Sequence, residues 1–302
     1  MHIVTSYCAG DSLDDIQKNA QDLIITNKDS QISLLLDVGT SLLLYHQARV
    51  LKGGLLALDD KPPNNIPTEI ETLQQFSSNP DFFSANNNSL PLFLSANKIH
   101  QLVRAYLFRQ LHDISLDIAD MNNHQLRPLF VFGLFFEGLA SFLLARQTSD
   151  SERTRWIDKG DKVLTKMKYW SEHSSWNWES KVILLEAEKT YTVGNSEQAA
   201  SLYERAIRLA HEHKFIHDEA IASELAGIFF SERGLRTKAE ALLLHSIQCY
   251  KTWGALAVAK RVELFIANKY GSILSTLDER INMMRSVFSF NSDPSKKRQE
   301  VG

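Results

Sequence analysis

Three histidines crowd the segment His211-Glu-His213-Lys-Phe-Ile-His217-Asp-Glu219. Their imidazoles, with the carboxylates of Glu212, Asp218 and Glu219, are donor types that a zinc ion takes. Phe215 falls where one helix ends and the next begins, so convergence of the three rings is not required by their spacing. Surface and turn histidines are the plainer reading, and no metal ligand is assigned. Lys52-Gly53-Gly54 invites comparison with a phosphate loop but lacks the glycine spacing and the GK[ST] ending, so it reads as a helix terminus. Trp170, Trp176 and Trp178 gather with Tyr169 around a turn. Such a group can form a ligand platform or a partner's hot spot, but large aromatics mostly bury area in cores, and a seam between packed helices is the reading taken. Asp14, Asp15, Glu186, Glu188 and Glu197 read as a solvated face, because carboxylates on helices are not a general acid and base without a pocket. No catalytic residue and no cofactor-binding residue stands out, no cofactor is implied, and the chain is read as non-enzymatic.

The elements that must position these residues are clearest from Lys181 to Trp253, where one helix-turn-helix unit occurs twice at an offset of forty residues. Ala187, Gly194, Ala199 and Ala206 return as Gly227, Gly234, Ala239 and Ser246. Small residues belong where paired helices approach closely, since a larger side chain would push them apart. Gly194 and Gly234 fall in the turns, where positive φ ends one helix before the next begins. Asn195 with Gln198, and Thr237 with Glu240, offer capping-box-like starts to the following helices.

This spacing resembles the tetratricopeptide repeat, with Tyr203 at its aromatic position in the first copy and Leu243 in the second. The period exceeds the usual length of about 34 residues, which implies longer helices. The fold expected is all-α, a tetratricopeptide-like solenoid of antiparallel helix pairs. Residues 1–52 are N-terminal helical repeats, with the turn Cys8-Ala-Gly10-Asp11-Ser12 following a first helix almost wholly missing. Leu13, Ile16, Ala20, Leu23 and Ile24 give an apolar stripe, and a second helix spans 31–51. Residues 53–90 are an Asn/Pro-rich insertion in which Glu69 to Phe76 has the pattern of a short helix. Residues 91–270 continue the repeats and include a short helix over Asp113 to Met121. Residues 271–288 are a C-terminal helix, Ile273 to Phe288, and 289–302 a disordered tail.

Composition narrows the classes further. A net charge of −3 with no basic block except Lys296, Lys297 and Arg298 is not a nucleic-acid footprint. The run from Leu129 to Ala145 is short of a membrane span and carries Glu137 in its middle, so it reads as a buried inner helix and no membrane is expected. Two cysteines, Cys8 and Cys249, make no disulfide framework, and Met1 to Gly10 lacks a secretory pattern. A reduced, cytoplasmic protein is expected.

A wider resemblance comes from the runs FFEGLASFLLARQT (135 to 148), LLEAEKTYTVGNSEQAASLYERAIRLAHEHKFIHDEAIASELAGIFF (184 to 230) and AEALLLHSIQCYKTWGALAVAKRVE (239 to 263). Over residues 5 to 270 the chain resembles the helical region of large multidomain sensor kinases. There a serine/threonine-kinase-like domain and a predicted ATPase precede this region, and a GAF domain and histidine kinase commonly follow it. The sequence contains no Gly-rich phosphate loop, HRD, DFG or H-box motif. The resemblance implies a non-enzymatic scaffold for protein–protein interaction in signal transduction. The alternative is a ligand-responsive sensory segment that controls a kinase or ATPase through a small-molecule effector. A protein partner or self-association is expected through the helices at residues 12 to 50, since a solenoid opening mid-unit leaves an apolar edge.

Overall fold

The computed structural model describes residues 2–26, 35–58, 60–63, 66–78, 89–111 and 128–271. Among them are twelve α-helices and no strand, in agreement with an all-α chain. The helices are α1 (His2–Ala9), α2 (Leu13–Thr26), α3 (Leu35–Gly53), α4 (Glu69–Ser77), α5 (Ser89–Leu107) and α6 (Pro128–Gln147). They continue with α7 (Asp150–His173), α8 (Ser175–Thr192), α9 (Ser196–Glu212), α10 (Ile216–Glu232), α11 (Arg236–Trp253) and α12 (Leu256–Tyr270). A short 3-10 turn, Leu55–Leu58, follows α3. The expected helices over Asp113 to Met121 and Ile273 to Phe288, the tail from Ser289 and the Asn-rich stretch 79–88 lie outside the described residues.

From α8 to α12 the helices repeat because the chain makes the same stop every twenty residues. Gly194, Lys214, Gly234 and Gly254 all have positive φ. The next residue, Asn195, Phe215, Leu235 or Ala255, donates its N–H to the carbonyl five positions back, on Thr190, Ala210, Phe230 and Tyr250 at 2.8–3.1 Å. This is the Schellman arrangement, which satisfies carbonyls the helix end would leave bare. Lys214 holds the position without glycine's freedom, at a cost of about 1–2 kcal/mol that packing must offset.

Asn195 caps α9 as expected, its Oδ1 accepting from the Gln198 N–H at 3.3 Å. The second expected cap is not made. Leu235 occupies the N-cap of α11 and makes no side-chain cap, while Thr237 lies inside the helix.

The small residues within the helices of the repeat are buried, Ala187, Ala199, Ala206, Ala239 and Ser246 among them, while the turn glycines Gly194 and Gly234 are exposed. A Cβ on Gly227 would sit 2.7 Å from Leu243 Cγ and 3.2 Å from the Ala239 carbonyl oxygen, so α10 and α11 meet there at backbone distance. Ala199→Leu and Ala206→Leu should each destabilise the chain by about 1–3 kcal/mol through overpacking. Urea denaturation checks this, with the exposed Glu197→Gln as a control expected to shift little. Unchanged midpoints in both alanine variants would remove these residues from the seam.

Helix α6 is the inner element, packed by α1, α5, α7 and α8. By length and composition it could cross a membrane, but 78% of its most apolar window is buried in the chain. Its Glu137 is fully buried, with Oε1 3.3 Å from Lys159 Nζ on α7. Glycines let its neighbours close in, for a Cβ on Gly138 would meet Leu185 at 2.8 Å and one on Gly133 would meet Ile99 at 2.7 Å.

The N-terminal helices pack back onto this body. The first helix, expected to be almost wholly missing, is present as the eight residues of α1 and buries Ile3 and Tyr7. Leu13, Ile16 and Ala20 of α2 are fully buried, with the start of α2 against the α11–α12 turn, where a Cβ on Gly254 would lie 3.3 Å from Leu13 Cβ. Helix α3 packs on α2, α5 and α12. The apolar stripe of α2 is therefore covered within the chain.

Candidate functional site

The middle of the molecule joins residues far apart in sequence. Tyr7 packs its ring 5.4 Å from Phe132, 5.9 Å from His100 and 6.2 Å from Trp253. Its hydroxyl accepts from Gln47 Nε2 at 3.0 Å, and Gln47 Oε1 accepts from Arg104 Nε at 2.6 Å. Arg104 completes the chain with two hydrogen bonds of 2.7 Å to the carboxylate oxygens of Glu69. That bidentate pair fixes α4 on α5, and Thr68 with Glu71 forms a capping box at the start of α4. The insertion is thus tied to the core at its middle.

Next to Tyr7, Gly10 has φ +84°, and a Cβ there would come within 2.2 Å of His217 Nδ1. His217 is fully buried between Phe132 and Trp253, at ring distances of 5.6 and 5.5 Å. Its Nε2 lies 3.2 Å from Asp218 Oδ1 without the alignment of a hydrogen bond, and Asp218 Oδ2 accepts from Lys181 Nζ at 2.5 Å. Burial lowers His217 to about 4, opposed by Asp218 and reinforced by Lys181, so the ring is neutral at pH 7. Cys8 nearby has its thiol pushed up by burial, which makes it a poor nucleophile. This centre holds α1 to the body.

The three histidines of the 211–219 segment do not converge. His217 points into the core, His213 stacks on Trp176 at 4.3 Å, and His211 Nδ1 reaches Glu219 Oε1 at 3.1 Å. His211, His213 and His217 do not form one donor group, because the turn at 213–215 splits the rings between two helices.

The aromatic cluster divides as well. Trp170 and Trp178 pack against the core as a seam would, but Tyr169 is 61% and Trp176 59% exposed. The corrected positions sit at the α7–α8 turn, where Tyr169 stands 4.8 Å from the His173 ring and Trp176 covers His213. Of the acidic residues read as a solvated face, Asp14, Asp15 and Glu197 are exposed and Glu186 is half-buried. Glu188 is buried, paired with Arg146 at 2.6 Å and accepting from the Tyr203 hydroxyl. Lys52-Gly53-Gly54 ends α3, as read.

A third centre escaped the sequence reading. Glu224 on α10 receives Arg109 at 2.6 Å, Arg261 at 2.7 Å and the Tyr250 hydroxyl at 2.9 Å. Burial would raise its carboxyl, but the Arg261 and Arg109 guanidiniums outweigh that and hold it at about 2. The available signal was a glutamate in a helix whose other residues from Ala220 to Phe230 are apolar or small, since a charged group there needs partners.

Comparison with known proteins finds one partial likeness. The chain is 38% identical over 105 residues to Hybrid signal transduction histidine kinase G of Dictyostelium discoideum. The match covers 35% of this chain and 3% of that protein. No family profile and no solved structure matches the chain.

Proposed function

We propose that the chain is a non-enzymatic, cytoplasmic, tetratricopeptide-like scaffold that docks a protein partner in signal transduction. The observation that carries the reading is the exposed aromatic surface of Tyr169 and Trp176, with Trp176 stacked on His213. Exposed tryptophan and tyrosine supply the large, rigid contact areas on which interface energy concentrates. Trp176 at the start of α8 lies against His213 at the end of α9, so the turns α7–α8 and α9–α10 are neighbours, and Tyr169 lies near the end of α7. The sensor-kinase likeness supplies the signalling context and equally suits the alternative, a sensory segment responding to a small molecule.

Affinity capture of the full chain from its native source, compared with a Tyr169→Ala/Trp176→Ala variant, tests the docking surface. The expected result is a partner recovered by the wild type and depleted roughly tenfold or more by the variant, as for loss of hot-spot residues. Equal recovery by both, with unchanged helical content, would remove this surface from the function.

A further inference from the structure

The junction between the two forty-residue units holds a second group of metal-binding residue types. Glu219 on α10 and His245 and Cys249 on α11 bring a carboxylate oxygen, Nε2 and Sγ within 4.8 Å of one another. His245 Nε2 lies 2.6 Å from Glu219 Oε1, and Cys249 Sγ lies 3.5 Å from His245 Nε2. His245 and Cys249 are four residues apart, so they share one face of α11. His211, at the end of α9, approaches the same carboxylate from outside that group, its Nδ1 3.1 Å from Glu219 Oε1.

The repeat shows what is particular about this arrangement. One unit earlier, the positions of Glu219 and His245 are Glu179 and Arg205, which form an ion pair of 2.7 Å, and Cys249 corresponds to Leu209. There a guanidinium supplies the positive charge to the carboxylate. In the second unit the same carboxylate is more deeply buried and faces two imidazoles and a thiol.

We propose that Glu219, His245 and Cys249, with His211 as the fourth ligand, bind a zinc-class divalent cation. One sulfur, two imidazole nitrogens and a carboxylate oxygen are the donor set of a tetrahedral zinc site, with bonds of about 2.0–2.3 Å. Calcium and magnesium, which take all-oxygen shells, do not suit it. On binding, Cys249 gives its thiol proton to solvent and the thiolate bonds the metal. The side chain of His211 is 63% exposed, which gives the ion a way in. A bound ion would clasp α9 to α10 and α11, across the junction of the two units.

Titrating chelator-treated full chain with zinc, and separately with cobalt read by absorption, tests the site. Expected are one equivalent of zinc bound at micromolar affinity or tighter and a thiolate-to-cobalt charge-transfer band. Cys249→Ser should abolish the band, whereas Cys8→Ser should leave it. His211→Ala, on the exposed side, should weaken zinc binding by at least the roughly 10- to 100-fold that loss of even an outer-shell partner costs. Helical content by circular dichroism confirms that each variant is folded. Absence of stoichiometric zinc binding, or a band that survives Cys249→Ser, overturns the proposal, as does full affinity in His211→Ala and Cys249→Ser alike.

Discussion

Lowering the pH from 7 to about 4.5 should remove on the order of 8 kcal/mol of stability, enough to unfold the chain before most carboxylates are protonated. Three buried imidazoles carry the effect. Burial lowers His46 and His217 to about 4 and His100 to about 3, from 6.5 for the free side chain. Their charged neighbours are Glu69, Arg49 and Arg104 at His46, Arg104 at His100, and Asp218, Lys181 and Asp11 at His217. Because each folded-state value lies below the unfolded one, the unfolded chain takes up protons first as pH falls. The neutral rings therefore contribute fully above 6.5 and lose that contribution toward about 4, at about 2.5 kcal/mol each by pH 4.5. The sum rivals the ordinary stability of a domain, about 5–15 kcal/mol. Urea midpoints across this range, with His100→Leu compared against the wild type, measure it. A flat profile from pH 6.5 to 4.5 would show that these rings are accessible to protons in the folded chain.

The local pattern was largely legible and the long-range contacts were not. Helical periodicity and small residues forty apart located α8 to α11, the turns at Gly194 and Gly234 and the burial of Ala199 and Ala206. Lys214 was not readable as a positive-φ residue, since only the surrounding turn geometry imposes it. Thr237 has the residue type of a cap, but α11 starts one residue before it, with Leu235 as N-cap, so helix phase overrode local preference. Glu188 read as solvated because its partner Arg146 lies on another helix, and Tyr7 meets Phe132 only after α1 has packed onto α6. Polar residue types show that a group can be charged, whereas its exposure is decided by which helix covers it. The histidine segment illustrates both sides. The donor types at 211 and 219 were visible, but the residues that join them, His245 and Cys249, come from α11 and could be matched only in three dimensions.

Replacing Glu224 should be the most damaging single substitution. Glu224→Gln keeps the volume and an acceptor for the Tyr250 hydroxyl but leaves the largely buried guanidiniums of Arg109 and Arg261 without their counter-charge. Breaking a buried pair by removing one partner typically costs about 3–5 kcal/mol, because the remaining charge has lost its water without compensation. Here the turn after α5 meets α10, α11 and α12 at the lost carboxylate, so these elements should loosen together. Glu240→Gln, which loses a partner to the mostly exposed Arg236, should cost no more than about 0.5 kcal/mol and serves as the control. Urea denaturation at pH 7 makes the comparison, and equal midpoints for the two variants would contradict the role given to Glu224. The pH dependence separates this centre from the histidines. A carboxyl held at about 2 against 4.5 contributes fully above 4.5 and loses its contribution only as pH falls toward about 2. Glu224→Gln should therefore lower the whole stability curve between pH 5 and 8 by a nearly constant amount, leaving its descent below 6.5 to the buried imidazoles.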